Sequence, residues 1–200
     1  MKRMVYASIV AAACLGISAS AQQENTYVAF KMGVYNPTGD LDDQGFDDGI
    51  NVDIAIGRYL SESLVLEGSL GYREVETKHS YDTPGFSSNT IRPGKVVVVP
   101  VVMSIKYIFD HESVHPYMQG GVGIYYLNDT DRGYAYGNNN DTRVTIGVHL
   151  GFGMDFDITE NAFIGLEFKH AFTSKAKLFD GDIRENNSGT TITLNTGYRF

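Results

Sequence analysis

The sequence predicts an all-β protein, an eight-stranded antiparallel transmembrane β-barrel of up-and-down topology. Three observations carry that prediction. Eight segments of about ten residues alternate apolar and polar side chains with a period of two, as strands do when their two faces meet different surroundings. The connections alternate short and long, so the short ones fall at one end of the sheet and the long ones at the other. Residues 1–21 read as an export signal: Lys2 and Arg3, an apolar stretch to Ile17, then Ala19-Ser20-Ala21 before a cut at Gln22.

Two hundred residues suit one domain, here residues 22–200. A retained anchor helix would need ~20 apolar residues, more than this segment offers. A lipoprotein cut before Cys14, the single cysteine, would shorten the apolar region further. The formal net charge is −8, with a pI near 5, and loss of Lys2 and Arg3 takes the charge to −10. That balance argues against nucleic acid as a partner and against a basic lipid-binding surface.

The first segment, residues 27–36, sets Val28, Phe30, Met32 and Val34 against Lys31 and Gly33. After a loop bearing Asp40, Asp42, Asp43, Asp47 and Asp48 comes the second, 50–59, with Val52, Ile54 and Ile56 opposite Asn51, Asp53, Ala55 and Gly57. A tight turn at 60–63 leads to the third, 64–73, where Leu64, Leu66, Leu70 and Tyr72 oppose Glu67, Ser69, Gly71 and Arg73. A long polar stretch, 74–94, precedes the fourth, 95–109. Its apolar face runs from Val97 to Tyr107 and its other face is mixed, with Val98, Pro100, Ser104 and Lys106. Pro100 cannot donate to a ladder, so a bulge or irregular register is expected there.

A turn at 110–115 leads to the fifth segment, 116–127, with Met118, Val122, Ile124 and Tyr126 on one face and Tyr117, Gln119, Gly121, Gly123 and Tyr125 on the other. A loop with a Gly-Asn-Asn-Asn-Asp run at 137–141 follows. The sixth, 144–156, is the clearest: Val144, Ile146, Val148, Leu150, Phe152, Met154 and Phe156 against Thr145, Gly147, His149, Gly151, Gly153 and Asp155. The seventh, 162–172, sets Ile164, Leu166, Phe168 and Phe172 against Gly165, Glu167, Lys169 and Ala171. The eighth, 190–200, sets Ile192, Leu194, Thr196, Tyr198 and Phe200 against Thr191, Thr193, Asn195, Gly197 and Arg199.

The polar face fixes the barrel type. It carries Lys31, Asp53, Glu67, Arg73, Lys106, His149, Asp155, Glu167, Lys169 and Arg199 among many glycines. A soluble lipid-carrying barrel would need those charges lining a dry cavity beside an apolar ligand, at high cost. Turned inward against one another, with the apolar face toward lipid, they form a lumen charge network. Tyr72, Tyr126 and Phe172 then make an outer aromatic girdle, and Tyr107, Phe156, Tyr198 and Phe200 an inner one. A secreted β-sandwich remains the alternative that alternation alone permits.

Across residues 27–200 the chain resembles the OmpA/OmpX-like eight-stranded outer-membrane β-barrel domain family. The likeness lies in Leu66-Glu67-Gly68 through Gly71-Tyr72, Ser104-Ile105-Lys106-Tyr107, Pro116-Tyr117 with Gly120-Gly121-Val122-Gly123, and Tyr198-Arg199-Phe200. It implies a bacterial outer-membrane location among lipids and lipopolysaccharide, a monomer, no cofactor, and an assembly machinery that reads Tyr198 and Phe200. No peptidoglycan-binding domain is expected after the barrel. The related OmpW-type barrels usually bear tryptophans, and this chain has none, which counts against that assignment.

The family's lipid A deacylases would require a lipid-facing His followed by a Ser two residues on. His170 has outward parity, but Phe172 stands at that position and Ser174 already lies in the loop. With no complete nucleophile–base–orienter set, no enzyme is expected. His79, His111 and His115 lack metal-ligand spacing. The aspartates at 40, 42, 43, 47 and 48 supply hard oxygen ligands for Ca²⁺, or for Mg²⁺ bridging lipopolysaccharide phosphates, without EF-hand spacing. A solvated acidic loop is the plainer reading. The sequence thus points to a non-enzymatic outer-membrane barrel with a structural or surface-interaction role. A small pore for ions or solutes is the alternative, and a lipid A-modifying enzyme the remotest.

Overall fold

The computed structural model describes residues 25–38, 47–76, 95–109, 113–130, 142–173 and 188–200. The expected signal peptide with Cys14, Asp40, Asp42, Asp43, His79, His111, Ser174 and the run at 137–141 lie outside them. The strands are β1 (Thr26–Pro37), β2 (Gly49–Tyr59), β3 (Leu64–Glu76), β4 (Lys95–Ile108), β5 (Val114–Thr130), β6 (Thr142–Asp157), β7 (Ala162–Thr173) and β8 (Gly189–Arg199). Each pairs antiparallel with the next, and β1 pairs with β8, closing the sheet. Closure leaves no edge in the membrane core, where an unpaired backbone group costs several kcal/mol.

Alternation decides which face meets lipid. Met32, Met103, Leu150, Phe152, Leu166 and Leu194 are all exposed on the outer wall, whereas Lys31, Glu67 and Glu167 are each only 1% exposed. Both expected girdles lie on the outer wall, with Tyr72, Tyr126 and Phe172 above and Tyr107, Phe156, Tyr198 and Phe200 below. Following paired residues round the wall from Tyr27 through Gly57, Glu67, Ser104, Gly121, His149, Ala171 and Gly189 returns to β1 at Pro37. That stagger of ten residues (27 to 37) requires tilted strands. At ~3.3 Å per residue and a tilt near 40°, ten residues climb ~25 Å, the height of an apolar band.

The lumen is filled in layers. Toward the periplasmic end, Tyr27, Ala29, Ala55, Val65, Ile108, Tyr117 and Phe163 form one apolar cluster. Toward the outer end, Tyr35, Val75, Val96, Val98, Val102, Tyr125, Leu127 and Ala171 form another. The inward face is therefore less polar than parity suggested. Aromatic rings fit by lying across glycines. A Cβ on Gly57 would fall 2.2 Å from the Tyr27 ring, on Gly153 2.4 Å from Tyr117, on Gly189 2.4 Å from Tyr35, and on Gly197 2.2 Å from Phe163.

Pro100 interrupts the ladder, since the β3–β4 pairing skips Gly71 and Tyr72, but the bulge or register shift expected there does not follow. β3 and β4 keep one register on either side of it, from Leu70↔Val101 to Arg73↔Val98. Gly71 makes this possible, because a Cβ there would meet the Pro100 ring at 2.8 Å and Asp53 Oδ1 at 2.0 Å. A glycine on the facing strand accommodates the ring where a bulge would otherwise be needed. β5 and β6 also run further than the alternation indicated. Asn128, Asp129, Thr130, Thr142 and Arg143 belong to strands, yet they lie above the girdle, where lipid no longer enforces an apolar face.

Gly153→Ala and Gly68→Ala test this packing. The first sets a methyl against the Tyr117 ring and, at 2.6 Å, the Leu166 carbonyl; at Gly68 nothing lies within 4 Å. Urea unfolding of the refolded barrel in vesicles should show Gly153→Ala destabilising by about 1–3 kcal/mol. Gly68→Ala should stay within about 0.5 kcal/mol of wild type.

Candidate functional site in the barrel lumen

Between the two apolar clusters, six charged side chains form an alternating row. Lys106 Nζ lies 3.2 Å from Glu67 Oε2, and Glu67 Oε1 lies 2.7 Å from Lys31 Nζ. Lys31 Nζ is also 2.7 Å from Glu167 Oε2, while Glu167 Oε1 lies 3.2 Å from Lys169 Nζ. Lys169 Nζ ends the row 3.8 Å from Asp53 Oδ2. Strands β4, β3, β1, β7 and β2 contribute, and three ammonium groups meet three carboxylates with no net charge. Desolvating six ions is costly, and only mutual pairing with further hydrogen bonds offsets it.

Those hydrogen bonds come from uncharged neighbours. The Tyr27 hydroxyl donates to Glu67 Oε2, and the Tyr117 hydroxyl donates to Glu167 Oε2 at 3.0 Å. Asn195 Nδ2 donates to the Tyr117 oxygen at 3.3 Å, and Asn51 Nδ2 to Asp53 Oδ2 at 3.1 Å. The Lys106 ammonium sits 4.0 Å from the centre of the Tyr117 ring. Tyr27, Tyr117, Asn51 and Asn195 are not part of the charge network expected from the sequence. Their inward parity was the available signal, but parity alone cannot say that an aromatic body carries its hydroxyl to a carboxylate.

The remaining members of the expected network stand apart. Arg73 donates from Nε to Asn51 Oδ1 at 2.9 Å and lies over the rings of Tyr35 and Tyr125, 4.9 and 5.9 Å from their centres. His149 shares a 2.9 Å hydrogen bond through Nε2 with Ser104 Oγ. Arg199 is at the periplasmic rim, where its Nη1 lies 2.6 Å from Asp157 Oδ1; His115 Nε2 lies 2.9 Å from Asp157 Oδ2. Asp155 is inward and buried, but its Oδ1 has no hydrogen-bond partner among the described residues.

Outside the lumen, Tyr198 and Phe200 pack edge to face, their centres 5.1 Å apart, on the lower girdle. Phe200 N donates to the Thr26 carbonyl at 2.8 Å. His170 shares a 2.7 Å hydrogen bond with Thr190 Oγ1 and lies edge-on to Phe172. Of the acidic loop, Asp47 and Asp48 are described: the Asp48 amide donates to Asp47 Oδ1 at 2.9 Å, and Asn36 donates to Asp48. Among the described residues, no group of three or more His, Cys, Asp or Glu is placed to hold a metal ion.

A closed eight-stranded wall, apolar outside and ion-paired within, defines a small transmembrane β-barrel of the bacterial outer membrane. The chain belongs to the outer membrane protein beta-barrel domain family, whose pattern matches residues 7–200. No curated protein matches it. Solved structures similar in fold include Neisserial surface protein A, with 15% identity and a TM-score of 0.63 over 88% of this chain and 98% of that one. OprG of Pseudomonas aeruginosa has 12% identity and a TM-score of 0.59 over 89% and 97% of the two chains. Ail, the attachment invasion locus protein of Yersinia pestis, has 15% identity and a TM-score of 0.53 over 89% and 100%.

Glu67 touches Lys31, Lys106 and Tyr27, so Glu67→Gln should lower the unfolding free energy by about 3–5 kcal/mol by stranding the ammonium groups. Adding Lys106→Met should recover part of that loss. Denaturant titration of the two single variants and the double variant checks both statements.

Proposed function

We propose that this protein is a closed, non-enzymatic barrel serving a structural or surface-interaction role in the outer membrane. The observation that carries this reading is the ionic row held between two apolar layers. An eight-stranded barrel has an interior just wide enough for side chains to fill. A permeating ion would have to displace pairs at 2.7 Å and then cross the apolar, partly aromatic clusters. A hydrophobic constriction gates by excluding water, so it resists either sign of ion.

Catalysis is not part of this reading. His170, the outward imidazole, has Thr190 and Leu150 on its flanking strands and Phe172 two residues on, not the serine that acyl transfer from a lipid would use. The proposed role therefore rests on the wall and on what the outer ends of the strands present. Among the described residues β5 and β6 are the longest strands, with 17 and 16 residues against 11 or 12 in β1, β2, β7 and β8. The described parts of β5 and β6 thus offer added length on which contacts at the cell surface could be built.

In planar bilayers the purified barrel should conduct near background, and Glu67→Gln should raise the current in discrete steps. A large, stable wild-type conductance unaffected by that change would make the protein a pore.

We also propose that Phe200, with Tyr198, serves recognition during assembly. Phe200 is exposed on the lower girdle and makes few interactions that deletion would remove. Deleting it should reduce the amount of barrel in cell outer membranes several-fold while detergent refolding changes little. Equal losses in the two assays would assign Phe200 to stability.

A further inference from the structure

The periplasmic mouth contains an open hollow of about 380 Å³, whose lining includes Tyr59, Glu62, Asp155, Asp157, Arg199 and Phe200. Its charges are unevenly matched. Arg199 and His115 both pair with Asp157, at 2.6 and 2.9 Å. Lys106, at the end of the row, lies 3.2 Å from Glu67 and against the Tyr117 ring. Asp155 is left 5% exposed with Oδ1 lacking any hydrogen-bond partner among the described residues, and Glu62 stands exposed at the rim. A buried carboxylate oxygen with no donor is costly, and an unmet group of this kind calls for an explanation such as a ligand.

The chemistry of the hollow selects that ligand. An anion would meet the three carboxylates of Glu62, Asp155 and Asp157 against a single guanidinium, Arg199, which is paired with Asp157 and has only its Nε left without a hydrogen-bond partner among the described residues. A hard divalent ion requires six or more oxygens, and no cluster of three or more such ligands exists among the described residues. An ammonium group needs one carboxylate and tolerates aromatic walls. We propose that this hollow binds a small alkylammonium ligand, with its ammonium donating to Asp155, Tyr59 and Phe200 flanking its chain, and Glu62 receiving a second ammonium when the ligand is a diamine. The amine is either free or carried on a peptide side chain.

Barrel purified from the outer membrane, titrated calorimetrically in detergent with putrescine, butylamine, Nα-acetyl-lysine amide and magnesium chloride, tests the proposal. Putrescine should bind one site, and Asp155→Asn should weaken it about tenfold or more, as expected for a lost charge-assisted hydrogen bond. Glu62→Gln should bring putrescine down to the affinity of butylamine and leave butylamine unchanged. Binding of the lysine derivative as tight as butylamine would make a peptide amino group the ligand; weaker binding would make it a free amine. If Asp155→Asn fails to assemble, putrescine must still shift the wild-type Asp155 carboxyl carbon resonance. The proposal is overturned if no amine binds, if Asp155→Asn binds putrescine unchanged, if that resonance does not move, or if only magnesium binds.

Discussion

The row of ions from Lys106 to Asp53 constrains everything else in this barrel. Its six groups are desolvated, and each interior member needs a partner on both sides: Glu67 lies between Lys106 and Lys31, and Glu167 between Lys31 and Lys169. Coulombic attraction in a poorly solvated interior is strong, but the loss of hydration roughly offsets it. The row's main contribution is therefore specificity. A one-residue slip in any contributing strand would turn its charge toward lipid, where a cation at mid-bilayer costs about 2–4 kcal/mol.

Close packing around the row depends on pairing large with small. Tyr27, Tyr35, Tyr117 and Phe163 each lie over a glycine, and two of these tyrosines carry their hydroxyls to Glu67 and Glu167. The same rings thus fill volume and satisfy carboxylate lone pairs. Lipid supplies no hydrophobic drive between strands, since it is as apolar as the side chains it touches. Cohesion must come from the backbone ladder and from this interior, which explains why the inward face spends valines and leucines at Val96, Val98, Val102 and Leu127 instead of polar groups throughout.

Parity made the fold legible. Outward Leu150 and Phe152 and inward His149 and Gly151 are adjacent in sequence but lie on opposite faces, and that local contrast locates β6. Which charges meet was far less accessible. Lys31 and Glu167 are 136 positions apart, and their meeting depends on a ten-residue stagger that accumulates around the wall. Arg199 has the parity of a lumen residue, yet as the last residue of β8 its long side chain reaches the rim and Asp157. Pro100 does interrupt the ladder, but that the register survives is not legible locally, because the glycine that accommodates the ring, Gly71, belongs to another strand. Strand ends beyond the girdle were hidden for a related reason, since water on both faces removes the contrast that parity detects.

The pairing of β1 with β8 has a kinetic consequence. Residues such as Tyr27 and Arg199 are register partners although nearly the whole described chain separates them. Until that seam forms, Lys31 on β1 cannot reach Glu167 on β7, and the two outermost strands present bare backbone edges. Partial assemblies in lipid would therefore carry both stranded ions and unmatched amides. Contacts so distant along the chain also slow the search for the native arrangement. Such a landscape makes half-inserted arrangements costly and favours closing the seam together with insertion.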